Sequence, residues 1–127
     1  MSRSKDKGTA FERQVVEYLQ KALGPAIERR ALSGANDRGD VSGVYFMGEP
    51  FVLECKNCRR MELAEWMDEA DTEAGNADAH FFAVVHKRRG CGDASFGDTY
   101  VTMPLSVFER MLSLAVEFDR YVDEVIA

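Results

Sequence analysis

An acid and a lysine lie two positions apart at the end of the apolar segment FVLECK, residues 51–56. Side chains alternate along a strand, so Glu54 and Lys56 would share one face, about 7 Å apart at ~3.4 Å per residue. Leu53 and Cys55 would point to the opposite, apolar face. Carboxylate oxygens bind hard divalent cations, and an ammonium group can balance charge that develops on a phosphate. The pattern therefore allows metal and phosphate chemistry, and a solvated strand end with one ion pair is the alternative.

A second acid stands at the start of the preceding segment. Asp40 follows Gly39, and the segments on either side of a turn at residues 48–50 are predicted to pair as an antiparallel hairpin. Such a hairpin would bring Asp40 to the end that carries Glu54 and Lys56. Three polar groups that meet at one end of an apolar hairpin favour a functional site over a lone ion pair.

The first predicted helix places another carboxylate where an apolar residue is expected. At ~100° per residue, Glu12 projects between Leu19 and Leu23 on the apolar face. A carboxylate that faces the core costs several kcal/mol unless it is paired, protonated or bound to a cation. The segment from Thr9 to Glu12 also matches a capping box, in which Glu12 would accept a hydrogen bond from the Thr9 backbone N–H. Both interpretations remain open at this stage.

The chain has 127 residues, the size of one domain with one core, so a single domain over residues 1–127 is expected. The longest apolar run, residues 81–85, is far too short to span a membrane, and no secretory signal is visible. A net charge of −6 weighs against nucleic-acid binding, but residues 1–60 hold 11 Lys/Arg and 8 Asp/Glu, whereas residues 61–127 hold 5 and 14. Any phosphate-binding surface should therefore come from the first half.

The three cysteines are Cys55, Cys58 and Cys91. An odd number without a secretory signal predicts reduced thiols and a cytosol-like compartment. Cys55 and Cys58 have the CxxC spacing of some redox and zinc sites, but Cys55 alternates onto the apolar face. Only Cys91, His80 and His86 could complete a zinc site, and their spacing matches no zinc motif. Redox or zinc chemistry is therefore the weaker alternative, and both histidines are expected to be structural.

Eight elements are predicted in the order α-β-β-β-α-β-β-α. The helices are expected from an N-cap at Thr9 to a stop at Gly24-Pro25, over residues 62–74, and from Pro104 to the C-terminus. The strands are expected at residues 26–33, on both sides of the turn Gly48-Glu49-Pro50, at 80–87 and at 99–103. Interleaved helices and strands with one antiparallel hairpin predict an α/β or α+β domain with a mixed central β-sheet flanked by helices.

The last predicted helix has apolar residues over about 200° of its circumference, whereas a one-sided surface helix needs an arc nearer 100°. The excess must be buried against something. A homodimer with two-fold symmetry would bury it, and two active sites would suit a substrate that has near two-fold symmetry itself.

These features resemble the PD-(D/E)XK nuclease superfamily. Glu12, Asp40 and the sequence Glu54-Cys55-Lys56 match its motif positions, with Gly39 before Asp40 in place of proline. The segments KGTAFERQVVEYLQ, RRALSG, GDVSG and FVLECKN are similar to the small archaeal-type Holliday junction resolvases and their phage relatives. The similarity covers residues 7–60, and beyond it only the helix-then-strand order matches. The resemblance implies a restriction-endonuclease-like core with a four-stranded mixed sheet, a divalent-metal site and often a homodimer.

The resemblance also implies roles for individual residues. Asp40 and Glu54 would bind Mg²⁺, for which Mn²⁺ could substitute, and the Cys55 carbonyl could be a further ligand. Glu12 would contact the metal directly or through water. Lys56 would orient or help deprotonate the attacking water and balance charge in the transition state. The metal would polarise the phosphodiester and activate water.

Polar residues around this motif are the predicted DNA contacts. Ser33 corresponds to a serine-containing loop near the active site of the resolvases. The predicted DNA-binding residues are Lys5, Lys7, Arg29, Arg30, Ser33, Arg38, Arg59 and Arg60. The second helix carries six acids and no Lys or Arg, so it is not expected to face DNA.

The expected function is that of a Mg²⁺-dependent endodeoxyribonuclease, with the four-way Holliday junction of DNA recombination and repair as the leading substrate. One alternative is a related nuclease that acts on other branched or single-stranded DNA. Another is a non-catalytic nucleic-acid-binding module on the same fold, although the complete set of Asp40, Glu54 and Lys56 argues against it. The expected location is the cytoplasm of a bacterial, archaeal or phage-infected cell, without membrane association.

Overall fold

A computed structural model describes the backbone of residues 3–30 and 37–127, with side chains from residue 6 onward. The helices are α1 (Arg3–Leu23), α2 (Leu63–Asn76) and α3 (Leu105–Ile126), with a short 3-10 helix at Asp93–Asp98. The strands are β1 (Glu28–Arg29), β2 (Val41–Ser42), β3 (Tyr45–Phe46), β4 (Glu49–Lys56), β5 (Phe81–His86) and β6 (Tyr100–Thr102). No helix among the described residues combines the length and apolarity that crossing a membrane requires.

The strands form one mixed sheet in the order β1-β2-β4-β5-β6, and β3 pairs with β4 outside that order. Strands β4 and β5 are parallel and are joined by α2, while the other pairs are antiparallel. The register of the parallel pair ends with Lys56 opposite His86, so both strands end at the same edge. The predicted mixed sheet flanked by helices, an α+β fold, is confirmed.

The two faces of β4 and β5 carry separate apolar clusters. On one face, Phe11 and Val15 of α1 pack with Leu53 and Cys55. On the other, Trp66 and Ala70 of α2 pack with Val84 of β5. Because side chains alternate along a strand, the odd-numbered residues of β4 face α1 and the even-numbered residues face α2. Glu54 and Lys56 therefore lie on the face that α2 covers.

The predicted start of the first helix is wrong. Helix α1 begins at Arg3, so Thr9 lies inside the helix and cannot be its N-cap. Arginine and lysine are good helix formers, and Asp6 in the first turn interacts favourably with the positive end of the helix dipole. These residues continue the helix through Gly8, which alone disfavours it by about 1 kcal/mol.

The predicted hairpin exists, but its turn lies one residue earlier. Met47 and Gly48 form the turn, with φ of +51° and +84°, and Phe46 pairs with Glu49 across it. Two residues at positive φ match the right-handed twist of the flanking strands, so Glu49 and Pro50 begin β4 instead of turning. The first arm is divided into β2 and β3, and residues 31–33 of the strand predicted at 26–33 lie outside the described residues.

Candidate active site

The backbone on either side of Gly39 fixes the position of Asp40. Gly39 has φ of +98°, and a Cβ there would lie 2.9 Å from Val52 Cγ1, so a side chain would not fit. The Asp40 backbone N–H donates to the Leu53 carbonyl at 2.9 Å. Its side-chain Oδ2 accepts a hydrogen bond from the Cys55 backbone N–H at 2.7 Å. The carboxylate is therefore held against β4, beside Glu54, as the hairpin predicted.

The buried carboxyl group of Glu54 lies next to the half-buried carboxyl group of Asp40. Burial raises the pKa of Asp40 to about 8, and the neighbouring Glu54 contributes to the rise. Burial also raises the pKa of Glu54 to about 8, with a further contribution from Glu73. Adjacent buried acids favour the neutral form unless a cation compensates their charge. A divalent cation beside them would favour both carboxylates in their ionised form.

Helix α2 adds a second buried acid, Glu73, to this site. Carboxylate oxygens of Asp37, Glu54 and Glu73 all lie within 4.8 Å of one another. Glu54 Oε2 and Glu73 Oε2 are buried and have no hydrogen-bond partner among the described residues. Buried polar atoms nearly always have a hydrogen-bond partner, so each of these two oxygens is expected to contact a proton donor or a cation. Hard oxygen ligands at this spacing, with unsatisfied buried atoms, fit a divalent cation such as Mg²⁺.

Asp37 is fixed by the segments around it. Its Oδ1 accepts a hydrogen bond from the Gly39 backbone N–H at 3.0 Å, and its carbonyl accepts one from the Asn76 side chain at 2.7 Å. The second bond ties the loop before β2 to the C-terminal end of α2. The term acidic cluster denotes five residues of this site: Glu12, Asp37, Asp40, Glu54 and Glu73.

Lys56 is the cation that contacts Glu54. Its Nζ lies 2.7 Å from Glu69 Oε2 and 3.9 Å from Glu54 Oε1. Burial alone would lower the pKa of Lys56, but the hydrogen bond to Glu69 and the charge of Glu54 raise it above its usual value. Lys56 is therefore a charged ammonium in this arrangement, oriented by two carboxylates.

Glu12 lies at the rim of the acidic cluster. Its Oε2 accepts hydrogen bonds from Arg29 Nε at 3.2 Å and Nη2 at 3.0 Å. Burial and the nearby Asp40 raise the pKa of Glu12, and Arg29 opposes that rise. The capping-box interpretation is wrong, because Thr9 lies inside α1. Glu12 faces the site as a paired carboxylate.

A family model described as "Phage putative PDDEXK endonuclease" matches residues 3–123. The chain belongs to this family. No curated protein and no solved structure matches the chain. The match confirms the PD-(D/E)XK resemblance and extends it from residues 7–60 across α2, the later strands and most of α3. Nucleases of this type typically use divalent metals, which agrees with the oxygen-rich group around Glu54.

Three acids of this PDDEXK-family site were not predicted from the sequence: Asp37, Glu69 and Glu73. Glu73 had a readable signal, because it recurs with Trp66 and Ala70 at helical spacing on the buried face of α2. The same argument, a carboxylate on an apolar helix face, had identified Glu12. Asp37 lies in a loop and Glu69 is exposed, so no local pattern distinguishes them.

The predicted DNA contacts are distributed unevenly around the PDDEXK-family site. Arg29 is bonded to Glu12, and Arg30 is half-buried. The exposed members are Lys7, Arg29, Arg38, Arg59 and Arg60. The side chain of Lys5 and the whole of Ser33 lie outside the described residues. The structure therefore leaves these DNA-binding roles as predictions.

The cysteine thiols do not take part in the acidic cluster of this PDDEXK-family protein. The Cys55 side chain is buried in the apolar core against α1, as its alternation predicted, and burial raises the pKa of its thiol. Cys58 is exposed, and all three cysteines are unpaired in the part of the chain that the structure describes. A buried neutral thiol is a poor nucleophile and a poor metal ligand, which disfavours the CxxC redox or zinc alternative.

Proposed function

We propose that the chain is a Mg²⁺-dependent DNA endonuclease, formed by one domain over residues 1–127, whose metal is held at the acidic cluster. The observation that carries this proposal is the excess of buried acid. Glu54 and Glu73 are buried, Asp37 and Asp40 lie beside Glu54, and Glu12 lies beside Asp40. Among the described residues only Arg29 and Lys56 form ion pairs with these five acids, and two buried oxygens have no partner. Structural ion pairs alone do not explain such an excess, because unpaired buried charge is costly.

The proposed ligands combine the sequence prediction with the structure. Asp40, Glu54 and the Cys55 carbonyl are retained from the motif, and Glu73 and Asp37 are added because of their distances to Glu54. A bound Mg²⁺, or Mn²⁺ in its place, supplies Lewis-acid polarisation of the phosphodiester and lowers the pKa of water. Carboxylate ligands suit either ion.

The remaining residues act through charge and position. Lys56, held charged by Glu69 and Glu54, would orient the attacking water and stabilise negative charge on the phosphoryl oxygens. Its raised pKa makes it a poor proton acceptor, so the deprotonating role is disfavoured. Glu12 and Arg29 form a pair at the rim, where Glu12 would contact the metal or its hydration shell and Arg29 a phosphate.

The proposed substrate is a four-way DNA junction of recombination and repair. Support comes from the similarity of residues 7–60 to small Holliday junction resolvases and from the apolar surface of α3, which suits a symmetric dimer. Other branched DNA or single strands are the alternative substrates. The phage family match and the unpaired thiols support a cytoplasmic location in an infected cell.

Incubation of end-labelled junction, flap, duplex and single-stranded DNA with the protein, with and without Mg²⁺, tests this proposal. Paired, metal-dependent nicks near the crossover of the junction are expected. Preferential cutting of flap or single strand would replace the junction by another substrate. If no DNA is cut with Mg²⁺ or Mn²⁺ while binding persists, the non-catalytic module becomes the function.

Helix α3 supports the proposed homodimer. It buries only Val107, and most of its large apolar residues are exposed. Six apolar residues recur at alternating steps of three and four, the spacing of a coiled-coil seam: Phe108, Met111, Ala115, Phe118, Val122 and Val125. We place the dimer contact along this seam, against α3 of a second copy.

A charge on the proposed seam should disrupt the dimer. Phe118, which is 51% exposed, would be buried in it, so Phe118→Glu should give a monomer in light scattering at a concentration where wild type is a dimer. Ser106→Glu adds the same charge to the polar face of α3 and should remain dimeric. A wild-type protein that is monomeric and still cuts junctions in pairs would contradict the proposal.

A further inference from the structure

A cavity opens beside the acidic cluster, at the edge where β4 and β5 end. It has a volume of about 530 Å³ and is called the basic cavity here. Its cationic residues are Lys56, Arg59, Lys87, Arg88 and Arg89. No Asp or Glu lines it among the described residues, although the whole chain has a net charge of −6. A concentration of cations in an acidic protein indicates an anionic ligand.

The arginines of the basic cavity are available to such a ligand. Arg89 donates to the Arg59 carbonyl at 3.3 Å, and the guanidinium of Arg88 lies 5.4 Å from the centre of the Tyr100 ring. Within the described residues, no carboxylate forms an ion pair with Arg59, Lys87, Arg88 or Arg89. Their charges are therefore uncompensated, which is the state that phosphate binding requires.

The wall of the basic cavity also contains an exposed aromatic ring. His86 lies between Trp66 and Tyr100, with ring centres 5.8 Å and 5.6 Å apart. Trp66 and His86 are each 5% exposed, whereas Tyr100 is 46% exposed. Two buried rings thus support a third, which is partly exposed and has the guanidinium of Arg88 over its ring. Aromatic surface combined with cations is how proteins bind unpaired nucleotides, because every base has a face that can stack.

Lys56 connects the basic cavity to the acidic cluster. It lines the cavity while its ammonium is bonded to Glu69 and Glu54. The Lys56 carbonyl also accepts a hydrogen bond from the Lys87 backbone N–H at 3.0 Å, which fixes the two strand ends together. A DNA strand whose phosphate lies at the acidic cluster can therefore continue directly into the cavity.

We propose that the basic cavity binds an unpaired nucleotide of the DNA substrate next to the cleaved phosphate, with its base against Tyr100 and its phosphate near Arg88 and Arg89. The volume lies within the ~300–1,000 Å³ of sites that enclose small ligands. A base inside a duplex cannot present its face, so the cavity selects DNA with an unpaired or extruded base. This inference rests on the proposed nuclease function and narrows its substrate class.

Binding in EDTA, where no metal-dependent cleavage occurs, tests the cavity separately from catalysis. Fluorescence anisotropy of a labelled oligonucleotide measures binding, and the only tryptophan of the chain, Trp66, lies in the cavity wall behind His86 as a second, intrinsic probe. Titration with a single-stranded oligonucleotide should change this signal, and a blunt duplex of equal length should change it much less. Tyr100→Ala should weaken single-strand binding about tenfold, the scale of one lost stacking contact, and leave duplex binding unchanged.

Matched variants separate stacking from structure and charge. Tyr100→Phe keeps the ring and should bind like wild type, and Tyr45→Ala removes an exposed tyrosine outside the cavity and should have no effect. The double variant Arg88→Gln/Arg89→Gln should weaken the salt dependence of binding. The magnitude of the slope of log affinity against log salt should fall by about one to two, as expected for two lost phosphate contacts. Arg120→Gln, on α3, is its control and should leave the slope unchanged.

The outcomes distinguish the cavity from the nuclease. If Tyr100→Ala binds single strands within twofold of wild type, the cavity proposal is wrong even when wild type cuts junctions. If single-strand binding depends on Tyr100 but no DNA is cut with Mg²⁺, the cavity stands and the proposed nuclease function fails.

Discussion

Two helices each supply a glutamate to the acidic cluster, and the surroundings of the two glutamates differ. Glu12 of α1 accepts two hydrogen bonds from Arg29, whereas Glu73 of α2 has a buried Oε2 without a partner among the described residues. Both side chains project from helix faces that are otherwise apolar. The α1 side of the site is thus compensated by the protein itself, and the α2 side depends on a proton or a cation. An acid whose charge the protein leaves uncompensated is the better indicator of a metal.

The largest expected effect is on the hairpin acid that lies between the two sides. Asp40→Asn keeps the hydrogen bond from the Cys55 N–H and removes the charge, so cleavage should fall by at least about 10³-fold. DNA affinity should stay near wild type, because basic residues carry most of it. Single-turnover cleavage and anisotropy measure the two quantities, with the exposed acid variant Asp71→Asn as control. Full activity in Asp40→Asn would show that the acidic cluster is not the catalytic site.

Replacing each helix glutamate by glutamine should change stability in opposite directions. In EDTA, Glu73→Gln should raise the melting temperature, because an unpartnered buried acid is removed. Glu12→Gln should lower stability by at most about 1 kcal/mol, because it breaks a partly exposed pair with Arg29. Both variants should cut junctions about 10²-fold more slowly, with partial recovery at high Mn²⁺.

Thermal melts and cleavage rates of the two variants, beside the exposed helix variant Glu17→Gln, make this comparison. Equal stability changes in Glu12→Gln and Glu73→Gln would remove the proposed asymmetry. Wild-type cleavage by Glu12→Gln alone would leave Glu12 with a structural role.

The metal-free protein should lose stability as pH rises. The folded-state pKa of both Asp40 and Glu54 is raised to about 8, whereas unfolded carboxyls titrate near pH ~4. Between these values the folded state binds more protons, so the stabilisation is complete below about pH 4 and is lost as pH approaches 8. The melting temperature in EDTA should therefore fall from pH 5 to pH 8, and Mg²⁺ should restore it mainly at pH 8.

Glu54→Gln sharpens that test, because it removes one of the two titrating groups and should flatten the pH dependence in EDTA. Asp71→Asn should keep the wild-type slope. If the melting temperature of wild type changes with neither pH nor Mg²⁺, the raised pKa values of Asp40 and Glu54 are wrong.

The smallest expected effect concerns the half-exposed acid that orients Lys56. Glu69→Gln removes the 2.7 Å ion pair and leaves the weaker contact to Glu54 at 3.9 Å. Cleavage should slow by about threefold to tenfold with little change in melting temperature, since exposed ion pairs contribute about 0–1 kcal/mol. Rates for Glu69→Gln and for the exposed control Glu17→Gln provide the measurement, and a loss as large as that of Asp40→Asn would make Glu69 a member of the metal site.

The fold was largely predictable where local pattern controls it. The apolar runs placed β4 and β5, and the polar linker between them placed α2 to within two residues of its observed ends. The hairpin turn and the start of α1 were not predicted correctly, because both depend on small energy differences at the ends of elements. Met47 has positive φ in the turn between two paired strands, and residues 3–7 are helical although Thr9 resembled a helix start.

By itself, the sequence determined which residues of one element share a face. Strand alternation placed Glu54 with Lys56 and Cys55 opposite them, and helical periodicity placed Glu12 toward the site, because both periods are properties of the local backbone. The tertiary structure alone decided which elements meet. It brought Asp37 and Glu73 to Glu54 and placed Lys87, Arg88 and Arg89 beside Lys56. The charge count for each half of the chain predicted phosphate binding only in the first half, so it did not identify those cations. Contacts between parallel strands bring together residues that are far apart in sequence.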